Sequence, residues 1–160
     1  MKPKVYIETT VVSYLAARPS RDLLVAARQE ATTELWTKLL SSEFGGYVST
    51  LVHQEAQQGD EEQAKRRIDA LSSFGVLDID QEARALAGRL LDAKAVPDKY
   101  ADDALHMAIA AVNGIDVLIT WNFAHLNNPI ARARIRRIIE DNGYRCPEVC
   151  SPEELLEMTS

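Results

Sequence analysis

Short β-branched and aromatic runs alternate along the chain with longer stretches whose apolar residues recur every three or four positions, a pattern that predicts strands alternating with helices. Lys4-Val5-Tyr6-Ile7 is the first run. Glu8-Thr9-Thr10 ends it, with hydroxyls that suit a helix start, and the helix is expected over Val11 to Ala17. Arg18-Pro19-Ser20 breaks it, and Leu23, Leu24, Ala27, Ala31, Leu35 and Leu39 predict a second helix from Asp22 to Leu40. Gly45-Gly46 reads as a turn, Tyr47-Val48-Ser49 as a short buried strand, and Ser49 or Thr50 as the cap of a helix holding Leu51, Val52 and Glu55.

Gly59-Asp60 interrupts that helix and Glu61 to Leu71 resumes it. Phe74 to Ile79 predicts a further strand, Asp80 caps a helix through Leu91, and Asp98 or Ala101 opens one that runs to Val112. Asn113-Gly114 closes it. Ile115 to Thr120 is nearly all apolar, as expected of a strand covered on both faces. Pro129 suits the first turn of a helix to Asp141, and a strand near Glu148-Val149 precedes a last helix capped at Ser151. The order implies an α/β class: a three-layer α/β/α sandwich with a mostly parallel central sheet. Ligand sites in such sheets lie at the carboxyl ends of the strands.

At 160 residues and 46% hydrophobic, the chain suits one domain over residues 1–160. Eighteen Lys and Arg against twenty-four Asp and Glu leave a net charge of −6, so the surface as a whole does not attract a polyanion. Any nucleic-acid contact is expected to be local or metal-assisted. Cys146 and Cys150 lack the companions of a zinc set and are expected to be reduced and structural. The basic start Met1-Lys2-Pro3-Lys4 leads into an apolar stretch interrupted by Glu8, and no run reaches membrane-spanning length. The expected location is the cytoplasm, with no membrane partner.

Candidate chemistry gathers where those strands end. Glu8 follows the first strand and Glu55 lies about a turn into the helix after the second. Asp102 and Asp103 begin a helix otherwise so apolar that it must be buried; capping by Asp102 accounts for one acid, and Asp103 needs another partner. His106, three residues on, reads as a packed histidine, and His53 beside Glu55 as one with an ordinary hydrogen bond. Thr120, Asn122 and His125 leave the clearest strand at the same edge. Singly, each has an ordinary reading as a cap, a turn or a solvated face. Together they bring acids from three elements to one place, which is unfavourable without cations and suits Mg²⁺ or Mn²⁺. Metal-assisted phosphodiester hydrolysis is the chemistry that follows. A phosphatase with an aspartyl nucleophile is disfavoured, since no Asp-x-Asp follows the first strand.

Val5-Tyr6-Ile7-Glu8-Thr9-Thr10-Val11-Val12-Ser13-Tyr14-Leu15, Glu55, Asp103-Ala104-Leu105-His106 and Leu118-Ile119-Thr120-Trp121-Asn122-Phe123, in that order, resemble the PIN domain family. Within it they resemble the VapC-like ribonucleases of toxin–antitoxin systems, over essentially the whole chain. The resemblance implies a Rossmann-like fold, a divalent-metal site and cleavage of single-stranded RNA by metal-activated water. By position it implies Glu8, Glu55, Asp103 and Asn122 as the metal set, with Thr120 orienting water or substrate. It also implies a homodimer and a cognate antitoxin whose peptide reaches into the acidic groove. Two departures stand out: Glu8 is a methylene longer than the usual Asp, and His125-Leu126 stands where many relatives have Asp-Phe. They leave open an alternative, a catalytically weak or inactive PIN-like module that binds RNA or a partner protein.

Arg132, Arg134, Arg136 and Arg137 follow the last site segment and are expected to line, in part, the path of RNA to the site. Lys65-Arg66-Arg67 reads as a surface face balancing Glu61 and Glu62. The apolar side of the Asp22–Leu40 helix is expected in the core, with a homodimer or an antitoxin segment as its other uses.

Overall fold

The structure, a computed structural model, describes residues 2–159. Five strands, β1 (Lys4–Ile7), β2 (Gly45–Ser49), β3 (Gly75–Leu77), β4 (Val117–Ile119) and β5 (Glu148–Cys150), form one sheet in the order β3-β2-β1-β4-β5. Every neighbouring pair is parallel. The helices between them are α1 (Thr9–Ala16), α2 (Leu23–Leu40), α3 (Thr50–Ala56), α4 (Glu61–Leu71), α5 (Gln81–Asp92), α6 (Ala101–Val112), α7 (Pro129–Asp141) and α8 (Pro152–Thr159). Their main packing falls into two sets, α1 with α2, α3 and α4 plus α8 on α2, and α5 with α6 and α7. That is the α/β architecture the alternation predicts.

Short polar side chains bound most helices where expected. Asp22, Ser49, Asp60, Asp80 and Asn128 each accept a backbone N–H from the first turn of the helix that follows. Gly114 and Gly143 take positive φ angles, 67° and 86°, just past the ends of α6 and α7, a conformation that costs glycine nothing. Val5, Tyr6, Ile7, Val48, Leu118 and Ile119 on the central strands are sealed from solvent, as are Val11, Val12, Leu86, Leu90, Met107 and Ile109 on the covering helices.

Four local expectations are corrected. Helix α1 begins at Thr9, because the Glu8 carboxylate rather than a threonine hydroxyl caps it. Gly45-Gly46 belongs to β2 rather than to a turn, since the Phe74 ring packs so closely on Gly46 that an added Cβ would lie 2.6 Å from it. The Phe74–Ile79 and Ile115–Thr120 runs contribute only Gly75–Leu77 and Val117–Ile119 to the sheet; their flanks turn into loops that carry polar groups. Finally, α6 has no side-chain cap, so Asp102 does not serve as one.

Cys146 and Cys150 are free and buried, and burial pushes their thiols up to about 11 and about 12. Among the described residues no helix is long and apolar enough to cross a membrane.

Candidate active site

Strand β1 lies at the centre of the sheet, where the chain runs outward to β2 and β3 on one side and returns to β4 and β5 on the other. This reversal opens a crevice at the carboxyl ends of β1 and β4. Glu8 leaves β1 into that crevice and Thr120 leaves β4 beside it. Glu8 is 4% exposed, a burial a carboxylate tolerates only with donors or cations around it. Its Oε1 accepts the Thr10 N–H at 3.2 Å, the Thr10 hydroxyl at 2.5 Å and the Thr120 hydroxyl at 2.6 Å. Both hydroxyl oxygens in turn accept backbone N–H groups at 2.9 Å, Thr10 from Trp121 and Thr120 from Asn122. Those bonds turn both O–H vectors towards Glu8. All three donors fall on Oε1, which leaves Oε2 as the oxygen available to a ligand.

Glu55 arrives from α3. Its Oε1 accepts the Thr9 hydroxyl at 2.5 Å and lies 2.6 Å from His106 Nε2, supplied by α6. His106 is fully buried, and its other nitrogen, Nδ1, lies 2.6 Å from the Tyr6 hydroxyl, which is 2.7 Å from Ser49 Oγ. A buried line of hydrogen bonds thus runs from the end of β2 through β1 and α6 to Glu55. Burial alone would lower the pKa of His106, but the Glu55 hydrogen bond and the charges of Glu8, Glu55 and Asp103 raise it above its ordinary value. Burial alone would raise that of Glu55, and His106, followed by Thr9 and Asp102, brings it below the usual range. Burial holds the Tyr6 phenol well above its usual value, so it stays protonated.

A carboxylate oxygen of Glu8, one of Glu55 and a ring nitrogen of His106 lie within 4.8 Å of one another. Asp103, in the first turn of α6, stands outside that tight group but faces the same crevice. It is hydrogen-bonded by Asn122, and His125 Nδ1 lies 3.1 Å from its Oδ2. Burial is the main reason its pKa is raised, with the Glu55 charge adding to it against Asn122, His106 and His125. Asn122 also accepts the His125 N–H at 3.0 Å through Oδ1, and the His125 ring stacks on Tyr100 with centroids 3.6 Å apart. Among the described residues no lysine or arginine forms an ion pair with Glu8, Glu55 or Asp103; histidines are their only cationic partners.

The expected residues Glu8, Glu55, Asp103, Thr120 and Asn122 therefore meet at one sheet edge, with Asp103 held through Asn122 rather than against the two glutamates. At three groups the structure differs from what the sequence pattern predicts. His106, read as a packed histidine, bridges Tyr6 and Glu55; its place one turn after Asp103 was the available signal. Asp102, read as a cap, approaches Glu55 closely enough to hydrogen-bond. His53, expected to be ordinarily hydrogen-bonded, has a buried Nε2 with no protein partner. One of the α7 arginines also departs from expectation. Arg136 pairs with Glu148 at 2.9 Å, at the start of β5 and so at the opposite end of the sheet, while Arg132 donates to Asn127 at 2.5 Å.

A donor set of glutamate and aspartate oxygens with an amide suits a hard divalent cation, and the residues fit such a group. Two carboxylates with oxygens this close repel each other unless a cation or a shared proton intervenes.

The sequence model of the PIN domain matches residues 5–123. No curated protein matches the chain in sequence. Among solved structures, a chain of the crystal structure of VapBC2 from Rickettsia felis bound to a DNA fragment from their promoter is similar in fold, with a TM-score of 0.60 and 15% identity over 92% of this chain and 98% of that one.

Proposed function

Because the chain belongs to the PIN domain family, we propose that it is a Mg²⁺-dependent endoribonuclease that cleaves single-stranded RNA, the toxin of a toxin–antitoxin pair. The observation that carries this reading is the meeting of Glu8 and Glu55 at the carboxyl edge of the sheet, without, among the described residues, a lysine or arginine paired to either. Glu8 and Glu55 would hold the cation, Mg²⁺ or alternatively Mn²⁺, with Asp103 and Asn122 completing the set. When bound, the metal would supply the positive charge that acidifies water and stabilises a phosphoryl oxygen.

The remaining work falls to the protein. Thr10 and Thr120 fix Glu8, and His106, itself fixed by Tyr6, fixes Glu55, so both carboxylates enter the reaction with one oxygen immobilised. Asn122 and His125 steady Asp103. Thr120, fully buried beneath Glu8, orients that carboxylate, and water or substrate with it.

The likeness in fold to a chain of the VapBC2 complex supports a cognate antitoxin as partner, and an acidic crevice attracts a basic segment of such a protein. A homodimer is part of the same proposal. The test is a panel of single-stranded RNAs incubated with the full chain and Mg²⁺ or Mn²⁺. Cleavage that stops with a chelator and falls by at least a hundredfold in Asp103→Asn is expected. RNA binding without cleavage at any metal concentration would instead identify a non-catalytic module.

A further inference from the structure

We propose that Phe123 and Arg28 form a stacking subsite that holds one unpaired base of the RNA beside the scissile phosphate. The inference rests on the ribonuclease reading and deepens it. Phe123 follows Asn122 directly in the loop leaving β4, yet 40% of it is exposed, unusual for a large apolar side chain within one residue of a buried polar site. Its ring meets Trp121 edge-on, with centroids 6.1 Å apart. The Arg28 guanidinium, reaching over from α2, lies 5.1 Å from the Phe123 centroid and 5.4 Å from that of Trp121. Arg28 donates to the Tyr14 hydroxyl at 3.2 Å and forms no ion pair among the described residues.

An acidic chain needs a local cation to receive a polyanion, and Arg136 does not supply it here, since it is paired with Glu148 at the far edge of the sheet. Arg28 has no carboxylate paired with it among the described residues. A guanidinium laid over an aromatic ring is steadied there with N–H groups to offer a phosphate, and the exposed part of the Phe123 ring offers stacking surface to any base. Phe123 adjoins Asn122 in the chain, so a base stacked on Phe123 places its own backbone at the acidic crevice. Both sequence-tolerant grip and single-strand selectivity follow, because a base inside a duplex has both faces covered by its stacked neighbours.

The test uses the full chain carrying Asp103→Asn, to suppress cleavage, and a short single-stranded RNA with 2-aminopurine at successive positions, titrated by anisotropy and fluorescence quenching. At one position, quenching and affinity should both fall in Phe123→Ala, affinity by roughly ten- to hundredfold, and Phe123→Trp should restore them. Phe123→Leu, which keeps the apolar cover without the π-face, should behave like the alanine variant even if the latter folds poorly. Arg28→Gln should reduce the salt slope of binding by about one, and Arg28→Lys should keep it. Binding by the parent that is unchanged in the Phe123 and Arg28 variants overturns the subsite alone and leaves the patch to a protein surface. A parent that binds no RNA overturns the ribonuclease reading as well.

Discussion

The Tyr6 hydroxyl and His106 Nδ1 meet at 2.6 Å although 100 residues separate them. Glu55, when ionised, only accepts, so His106 Nε2 must carry a proton. In a neutral ring Nδ1 is then the acceptor and Tyr6 the donor. If the ring takes a second proton, Nδ1 donates and Tyr6 turns its O–H to Ser49. The line therefore accommodates both charge states without breaking. Tyr6→Phe removes the shared member and leaves Ser49 Oγ and His106 Nδ1 buried without it. The expected cost is about 1–3 kcal/mol, a fall in melting temperature of roughly 2–12 °C. Calorimetry on a metal-free sample checks it, and a loss of activity well beyond that explained by unfolding would show the line also orients Glu55.

Glu55 and His106 make stability depend on pH in a defined window. His106 has a raised pKa, so its contribution is complete below the unfolded value and is lost as pH rises through the folded one. Glu55 has a lowered pKa, so its contribution is present above its unfolded value and is lost as pH falls through the folded one. Metal-free protein is thus expected to gain most from the pair between the unfolded carboxylate and imidazole values, about 4.3 to 6.5. Melting curves from pH 4 to 9 in the presence of a chelator should show a mildly acidic maximum that flattens in His106→Gln. An identical pH profile in both proteins would remove this assignment.

Phe74 lies so near Gly46 that the position has no room for a side chain, although the Gly45-Gly46 pair looks like a turn. The ring itself meets Trp36 edge-on at 5.1 Å. Gly46→Ala should therefore overpack the interface beneath β2 and cost about 1–3 kcal/mol, while Gly46→Ala with Phe74→Leu should recover much of it. Urea unfolding of the single and double variants measures both. Equal stability of wild type and Gly46→Ala would mean the ring moves aside freely.

What sequence could show follows a physical line. Caps such as Ser49 and Asp80 act within three residues, so their roles are visible in the local pattern. Glu8 and Thr120 are also legible, because the end of a parallel strand dictates which edge of the sheet they reach. Long-range side-chain pairing has no such local trace. Tyr6 looks like any aromatic strand residue until His106 is folded against it, and Arg28 looks like a solvated position until Trp121 and Phe123 come beneath it. Asp102 illustrates the opposite case, since a local rule offers a cap, yet α6 begins at Ala101 after Tyr100 with no side-chain cap at all.

Thr120 donates its only hydroxyl proton to Glu8 at 2.6 Å and accepts the Asn122 N–H at 2.9 Å, so one buried side chain links two members of the proposed metal set. Thr120→Val keeps the shape and removes both bonds. Glu8 then retains only the Thr10 N–H and hydroxyl, and the half-buried Asn122 N–H loses its acceptor, so the carboxylate swings more freely and the loop carrying Asn122 loosens. Orienting groups of this kind are worth about 10–100-fold in metal affinity. Titration calorimetry with Mn²⁺ should show that loss in Thr120→Val, whereas Thr120→Ser, which keeps the hydroxyl, should bind within a few-fold of wild type. Unchanged affinity in the valine variant would mean that Glu8 is held without Thr120, and that the hydroxyl's contribution is to the loop alone.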